Sequence, residues 1–255
     1  MSRPSGLAFD SAGRSAANSA YTAADIVAEA ERRPGHVPHI ARPEPPRILH
    51  GTTPGNVLEE ACGRADRATD RMGRRVKRDA AILVSAVTSY PLTWEAVRAD
   101  PAGMRRIRGW LRAEKRFWRG EFGDRVRCIL LHVDEERPNV HVLLVPELVP
   151  TTMRSGRVVQ VLDIGTVDPL HRAAREARAA GASFVERRNA ARLAGAAFQQ
   201  RYARDVGAAI GLSAGEGRAG PRLSRFEARV RQEVRRRTAE LEAQLAAAAA
   251  AARRG

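Results

Sequence analysis

Residues 127–147, RCILLHVDEERPNVHVLLVPE, constrain the chain more than any other stretch. Two runs rich in Leu, Ile and Val flank a short polar hinge, a pattern that predicts two adjacent strands joined by an antiparallel return over residues 135–138. Side chains alternate along a strand, so His132 and Asp134 are expected on one face. On the returning strand, Asn139 and His141 share a face for the same reason. Two imidazoles and up to two carboxylates would then converge at the junction. Imidazole suits Mn, Fe, Co, Ni and Zn, and an oxygen ligand beside it favours the harder of these, so the junction is a candidate divalent-metal site. The plainer alternative is that each histidine is a hydrogen-bonded core residue of an apolar strand.

Strands are expected at residues 80–89, 127–134, 140–146 and 158–162. Helices are expected within 93–118, over 170–210 with an interruption near Gly181, and over 223–252. Met104, Ile107, Trp110 and Leu111 recur at helical spacing in the first of these. The expected class is α+β: an antiparallel sheet carries the metal site, helices pack on its other face, and a helical extension follows. Residues 1–20 are small, polar and rich in Gly, Ser and Ala, so residues 1–35 are expected to be disordered or atypical. A catalytic domain is expected over 36–221 and a C-terminal helix over 222–255. In that helix Phe226, Val230, Val234, Leu241 and Leu245 recur at spacings near three and four, which suits either a short coiled coil or a tail docked on the body.

The formal net charge is +15, from 44 Lys and Arg against 29 Asp and Glu. Such an excess predicts attraction to a polyanion and salt-dependent affinity, although an Arg- and Ala-rich coding bias raises basicity too. Cys62 and Cys128 are too few and too far apart for a disulfide framework or a Cys-rich zinc module, which points to a reducing cytoplasm. No run of about 18 apolar residues and no signal-peptide core occurs, so neither a membrane span nor secretion is expected.

The order His132-x-Asp134-Glu135-x-x-Pro138-Asn139-x-His141, followed by Val145-Pro146, resembles the H-x-D-E-x-x-P-H-x-H signature of the Pre/Mob (MobV-type) plasmid mobilisation relaxases and plasmid recombination enzymes, a group of HUH endonucleases. The chain departs from that signature at one ligand, with Asn139 where the family has the first of two paired histidines. Residues 74–89 are similar to the family's basic segment and apolar strand. Residues 94–125 are similar to its helix and Gly turn, and 198–218 to its amphipathic helix and basic turn. Together these segments run in the family's order over residues 36–226.

The resemblance implies a five-stranded antiparallel sheet, which needs one more strand from the N-terminal region, where none is expected. It implies metal-dependent nicking and rejoining of one DNA strand at a plasmid transfer origin, for mobilisation and conjugation. The implied ligands are His132, Asn139 and His141, with Glu135 as a further catalytic residue and Mn or Mg as the ion. The family's H-N-x-R motif carries its histidine nucleophile. The nearest match here is His39-Ile40-Ala41-Arg42, between Pro38 and Pro43, with His36 and His50 as rivals and Tyr21, Tyr90 and Tyr202 as the tyrosine alternatives. Arg42, Arg47, Arg74, Arg75, Lys77 and Arg78 are the residues expected to hold DNA phosphates. Plasmid DNA is the expected partner, with a second copy joined through the C-terminal helix. Two other readings stay open: an origin-binding relative without catalysis, and a metal-dependent hydrolase of another substrate.

Overall fold

The structure, a computed structural model, describes residues 7–14, 21–38, 40–153, 155–211 and 237–238. The chain divides into two units, Met1–Gly217 and Arg218–Gly255. In the second, Arg237 and Thr238 are described, both helical. The rest of the expected helix over 222–255, and with it the expected dimer contact, lies outside the described residues.

The first unit is α+β. Its main sheet has five strands: β1 (Leu7–Ala12), β2 (Arg47–Gly51), β3 (Leu83–Ser89), β4 (Val126–His132) and β5 (Asn139–Leu144). They lie in the order β1-β3-β5-β4-β2, and every pair is antiparallel. All six residues of the central strand β5, NVHVLL, are buried, because both of its faces are covered. A separate hairpin, β6 (Glu147–Thr152) with β7 (Val158–Asp163), follows from β5.

Helices cover both faces of the sheet, where the sequence suggested only one. On one face lie α1 (Ala23–Ala30) and α2 (Pro54–Arg67), whose Ile26, Val27, Val57 and Ala61 pack with Cys128, Leu130, Leu143 and Val145. Both helices start on side-chain caps: Thr22 and Asp25 form a capping box, and Thr53 accepts from the Asn56 N–H ahead of Pro54. The other face carries α3 (Trp94–Ala99), α4 (Gly103–Phe122) and the end of α6 (Phe184–Asp205), which pairs with α5 (Pro169–Ala179). In α4, Ile107, Trp110, Phe117, Trp118 and Phe122 are buried against Phe198, Tyr202, Val126, Val140 and Val142. Met104, expected on this apolar stripe, is 44% exposed. The α5–α6 hairpin turns at Gly181, where the interruption was expected.

One carboxylate is buried within this second layer. Glu114 of α4 accepts from Thr88 Oγ1 at 3.0 Å and Trp118 Nε1 at 2.9 Å, and it also meets the Tyr202 hydroxyl. It therefore ties β3, α4 and α6 together through charge-assisted hydrogen bonds. Burial pushes its pKa up to about 7, against the lowering effect of its donors.

Three strands, β1, β2 and β6, and two helices, α1 and α2, of the first unit were not anticipated from the sequence. β1 lies in the segment expected to be irregular. It is an edge strand, LAFDSA, paired on one side only, from Leu7 opposite Thr88 to Ala12 opposite Leu83. With β2 it completes the five strands, because the strand expected over 158–162 belongs to the separate β6–β7 hairpin. β2, where no strand was expected, pairs with β4 through a bulge between Ile48 and His50 and ends at Gly51. Gly51 has φ +81°, and a Cβ there would stand 1.9 Å from the Arg127 carbonyl oxygen, so the turn out of β2 requires glycine.

Candidate metal centre

β4 and β5 set the geometry of the site. Their register pairs His132 with Asn139 and Leu130 with His141, and paired residues share a face of the sheet. His132, Asn139 and His141 therefore point to the α1–α2 side along with Cys128, Leu130 and Leu143. The two imidazoles are buried, with ring centroids 4.4 Å apart and planes at 76°. Glu135, in the turn between the strands, closes the group: one donor atom each from His132, Glu135 and His141 lies within 4.8 Å of the others.

The carboxylates divide differently from the alternation argument. β4 ends at His132, so the turn rather than the pleat directs Asp134. The Asp134 side chain is fully buried and takes the Arg32 Nη2 at 2.9 Å and the Glu44 backbone N–H at 3.2 Å. Glu135 is the carboxylate beside the imidazoles. Its Oε1 takes the same Arg32 nitrogen at 2.7 Å, and its Oε2 takes Asn139 Nδ2 at 3.0 Å.

The donor set suits a divalent ion. His132 Nε2 is 2.9 Å from the Ala30 carbonyl, which can only accept, so this nitrogen carries the proton and Nδ1 keeps its lone pair. Among the described residues that Nδ1 is buried without a hydrogen-bond partner. Burial, and then the nearby Arg32 charge, hold the His132 pKa below its ordinary value, which keeps the ring neutral. A neutral imidazole with one nitrogen anchored to a carbonyl and the other bare is the state a metal ligand requires. His132, Glu135 and His141 would hold the ion. Asn139 stands beside them, its amide nitrogen on Glu135 and its oxygen 3.5 Å from the Ser89 hydroxyl.

The candidate attackers are dispersed. His39 lies outside the described residues. His36 is 3.9 Å from Asp25 at the start of α1. His50 lies on the far side of the sheet, where burial and the charges of Arg119 and Lys115 of α4 lower its pKa. Tyr90 and Tyr202 belong to the apolar core under α4, on the face opposite the imidazoles. Tyr21 packs at the edge of the α1 core, on the imidazole side.

The basic residues separate into two groups. Arg42 and Arg47 are exposed near the end of the sheet that carries His132: Arg47 pairs with Leu131, and the segment after Arg42 reaches Asp134 through Glu44. Arg74, Arg75, Lys77 and Arg78 are exposed in the loop leading into β3, at the opposite end of the strands. That loop borders a cleft of about 440 Å³ lined by Asp70, Lys77, Asp79 and Val161.

Arg32 and the Ala30 carbonyl did not emerge from the sequence. Nothing in spacing or composition separates Arg32 from the other 43 Lys and Arg residues of the 44 in the chain, and a backbone carbonyl has no sequence signature.

No protein-family model matches the chain, and no curated protein does. Among solved structures, the chain is similar to the MobM relaxase domain (MOBV; Mob_Pre) bound to 26-nucleotide pMV158 oriT DNA. The two are 11% identical, with 88% of this chain and 98% of that one covered and a TM-score of 0.46. It is similar also to the same domain bound to plasmid pMV158 oriT DNA (22 nt plus 3′-thiophosphate) in a Mn-bound crystal structure at pH 6.8. There the identity is 11%, the coverage 88% and 97%, and the TM-score 0.47.

Proposed function

We propose that the chain is a relaxase-type enzyme that uses a divalent metal, Mn or Mg, to nick and rejoin one DNA strand at a plasmid transfer origin. The observation that carries this reading is the convergence of His132, Glu135 and His141, in the order of the H-x-D-E-x-x-P-x-x-H core of the signature, on one buried face with His132 Nδ1 bare. The ion, when bound, supplies Lewis-acid polarisation of the scissile phosphate. The residues do the rest. Asn139 and Arg32 hold the two oxygens of Glu135, and Ala30 fixes the His132 tautomer. Arg42 and Arg47, exposed at the same end of the sheet, are the residues proposed to take backbone phosphates.

His39 is the proposed attacker. Its imidazole lone pair forms an N–P bond to the 5′ phosphate as the P–O3′ bond breaks, and the leaving oxygen takes a proton to become a free 3′ hydroxyl. The phosphoramidate keeps the bond energy for rejoining. The loop after residue 39 is held against the β4–β5 turn by the Glu44 N–H on Asp134, which supports this assignment. Among the described residues no helix is long and apolar enough to cross a membrane, and the proposed setting is the cytoplasm. The test is incubation of the protein and Mn²⁺ with a supercoiled plasmid carrying the DNA upstream of this reading frame. Nicked product with protein on its 5′ end is expected, and its absence under Mn²⁺ and Mg²⁺ alike overturns the enzymatic reading.

A second reading, an origin-binding relative without catalysis, is favoured by a specific observation. The amide of Asn139 occupies Glu135, and Tyr90, Tyr202 and His50 all lie across the sheet from the imidazoles. Salt-sensitive origin binding without nicking is its signature.

A further inference from the structure

Arg32 is an unusual residue to find where it is. It follows the end of α1 with φ +60°, the only non-glycine positive φ among the described residues, at a position where glycine is the favoured helix terminator. Its side chain is 2% exposed. Among the described residues its Nε and Nη1 are buried without a hydrogen-bond partner. Three unfavourable features at one residue, a left-handed backbone, a desolvated cation and two unsatisfied donors, argue against a stabilising role as the reason for its presence.

Its one satisfied nitrogen shows what it does. Nη2 bridges Asp134 Oδ1 at 2.9 Å and Glu135 Oε1 at 2.7 Å. Asp134 is fully buried and serves as the fixed anchor, while Glu135 is a quarter exposed and belongs to the donor group with His132 and His141. With Asn139 on Oε2, both oxygens of Glu135 are held, so the carboxylate has no freedom to turn toward solvent.

We propose that Arg32 is a positioning residue of the metal centre, which acts through Glu135 by locking its carboxylate against the two imidazoles. This rests on the metal reading of the site. Outer partners of this kind set ligand orientation, and their loss typically weakens metal binding by 10- to 100-fold. Because a single nitrogen makes both contacts, a lysine ammonium can replace it, whereas a neutral amide cannot balance two carboxylates.

The test is Mn²⁺ binding by the full-length protein, read from loss of the free-ion electron paramagnetic resonance signal. Arg32→Gln should bind about tenfold or more weakly, and Arg32→Lys should restore most of the affinity. In a Glu135→Gln background, Arg32→Gln should add no further loss, since the two act as one unit. If Arg32→Gln does not fold, the Arg32→Gln/Asp134→Asn pair removes the buried cation and its anchor together. It leaves no uncompensated buried charge at Asp134 and should show the same weakening. Unchanged or tighter binding in these variants, or an equal loss in the Glu135→Gln background, overturns the proposal while leaving the metal site standing. An unmodified protein that takes up no Mn²⁺ overturns the metal reading, and this proposal with it.

Discussion

His132 and His141 are diagonal neighbours across β4 and β5, not partners on one rung: the register pairs His132 with Asn139 and His141 with Leu130, and the rings meet edge to face at 4.4 Å. Diagonal neighbours on one face lie close enough for large side chains to share a ligand. His132→Ala or His141→Ala should therefore abolish Mn²⁺ binding and metal-dependent nicking. DNA affinity should change little, because phosphate contacts by Arg and Lys provide most of it. Titration calorimetry and a plasmid-nicking assay check the two halves separately, and nicking retained by both variants sinks the site.

Asn139 sits across the rung from His132 and donates to Glu135. Replacing it with histidine puts a third imidazole beside the group. Asn139→His should tighten binding of a late first-row ion, since imidazole is the better ligand there. Calorimetry with Mn²⁺ or Zn²⁺ that shows no gain would mean that position 139 serves Glu135 alone.

The candidate site was legible because its residues are local in sequence: one strand–turn–strand holds both imidazoles and Glu135, and alternation with a tight return brings them together. The same argument misplaced Asp134, since the strand stops at His132 and a turn has no two-residue period. The rest of the site was not legible. Ala30 ends α1 and Arg32 follows it, over a hundred positions before the residues they hold, and they reach His132 and Glu135 only because α1 packs on that face of the sheet. β1 and β2 were hidden for a related reason. Each is an edge strand with one paired neighbour, and neither shows the Leu- and Val-rich run that marks the buried β5.

Gly51 closes β2 against β4 with φ +81° and no room for a Cβ beside the Arg127 carbonyl. Gly51→Ala should cost about 1–3 kcal/mol of stability, from backbone strain and displacement of the edge strand. Urea denaturation measures it. A midpoint equal to that of the unmodified protein would show that β2 relaxes without loss.

The last expectation concerns Glu114, whose carboxyl is held by Thr88, Trp118 and Tyr202 in the core under the sheet. Burial raises its pKa from an ordinary 4.5 to about 7 in the folded chain. Between those values the folded protein binds a proton that the unfolded chain has released, so stability falls as pH rises. The contribution is fully present below pH 4.5 and gone once the pH passes about 7; a shift of this size corresponds to a loss on the order of 3 kcal/mol. Glu114→Gln removes the titration while keeping the side chain's shape. Its unfolding free energy should be flatter than that of the unmodified protein between pH 4.5 and 7, whatever its absolute level. Urea denaturation at several pH values across this window gives the two slopes. Identical slopes would mean that Glu114 is ionised throughout, with its three donors outweighing the burial.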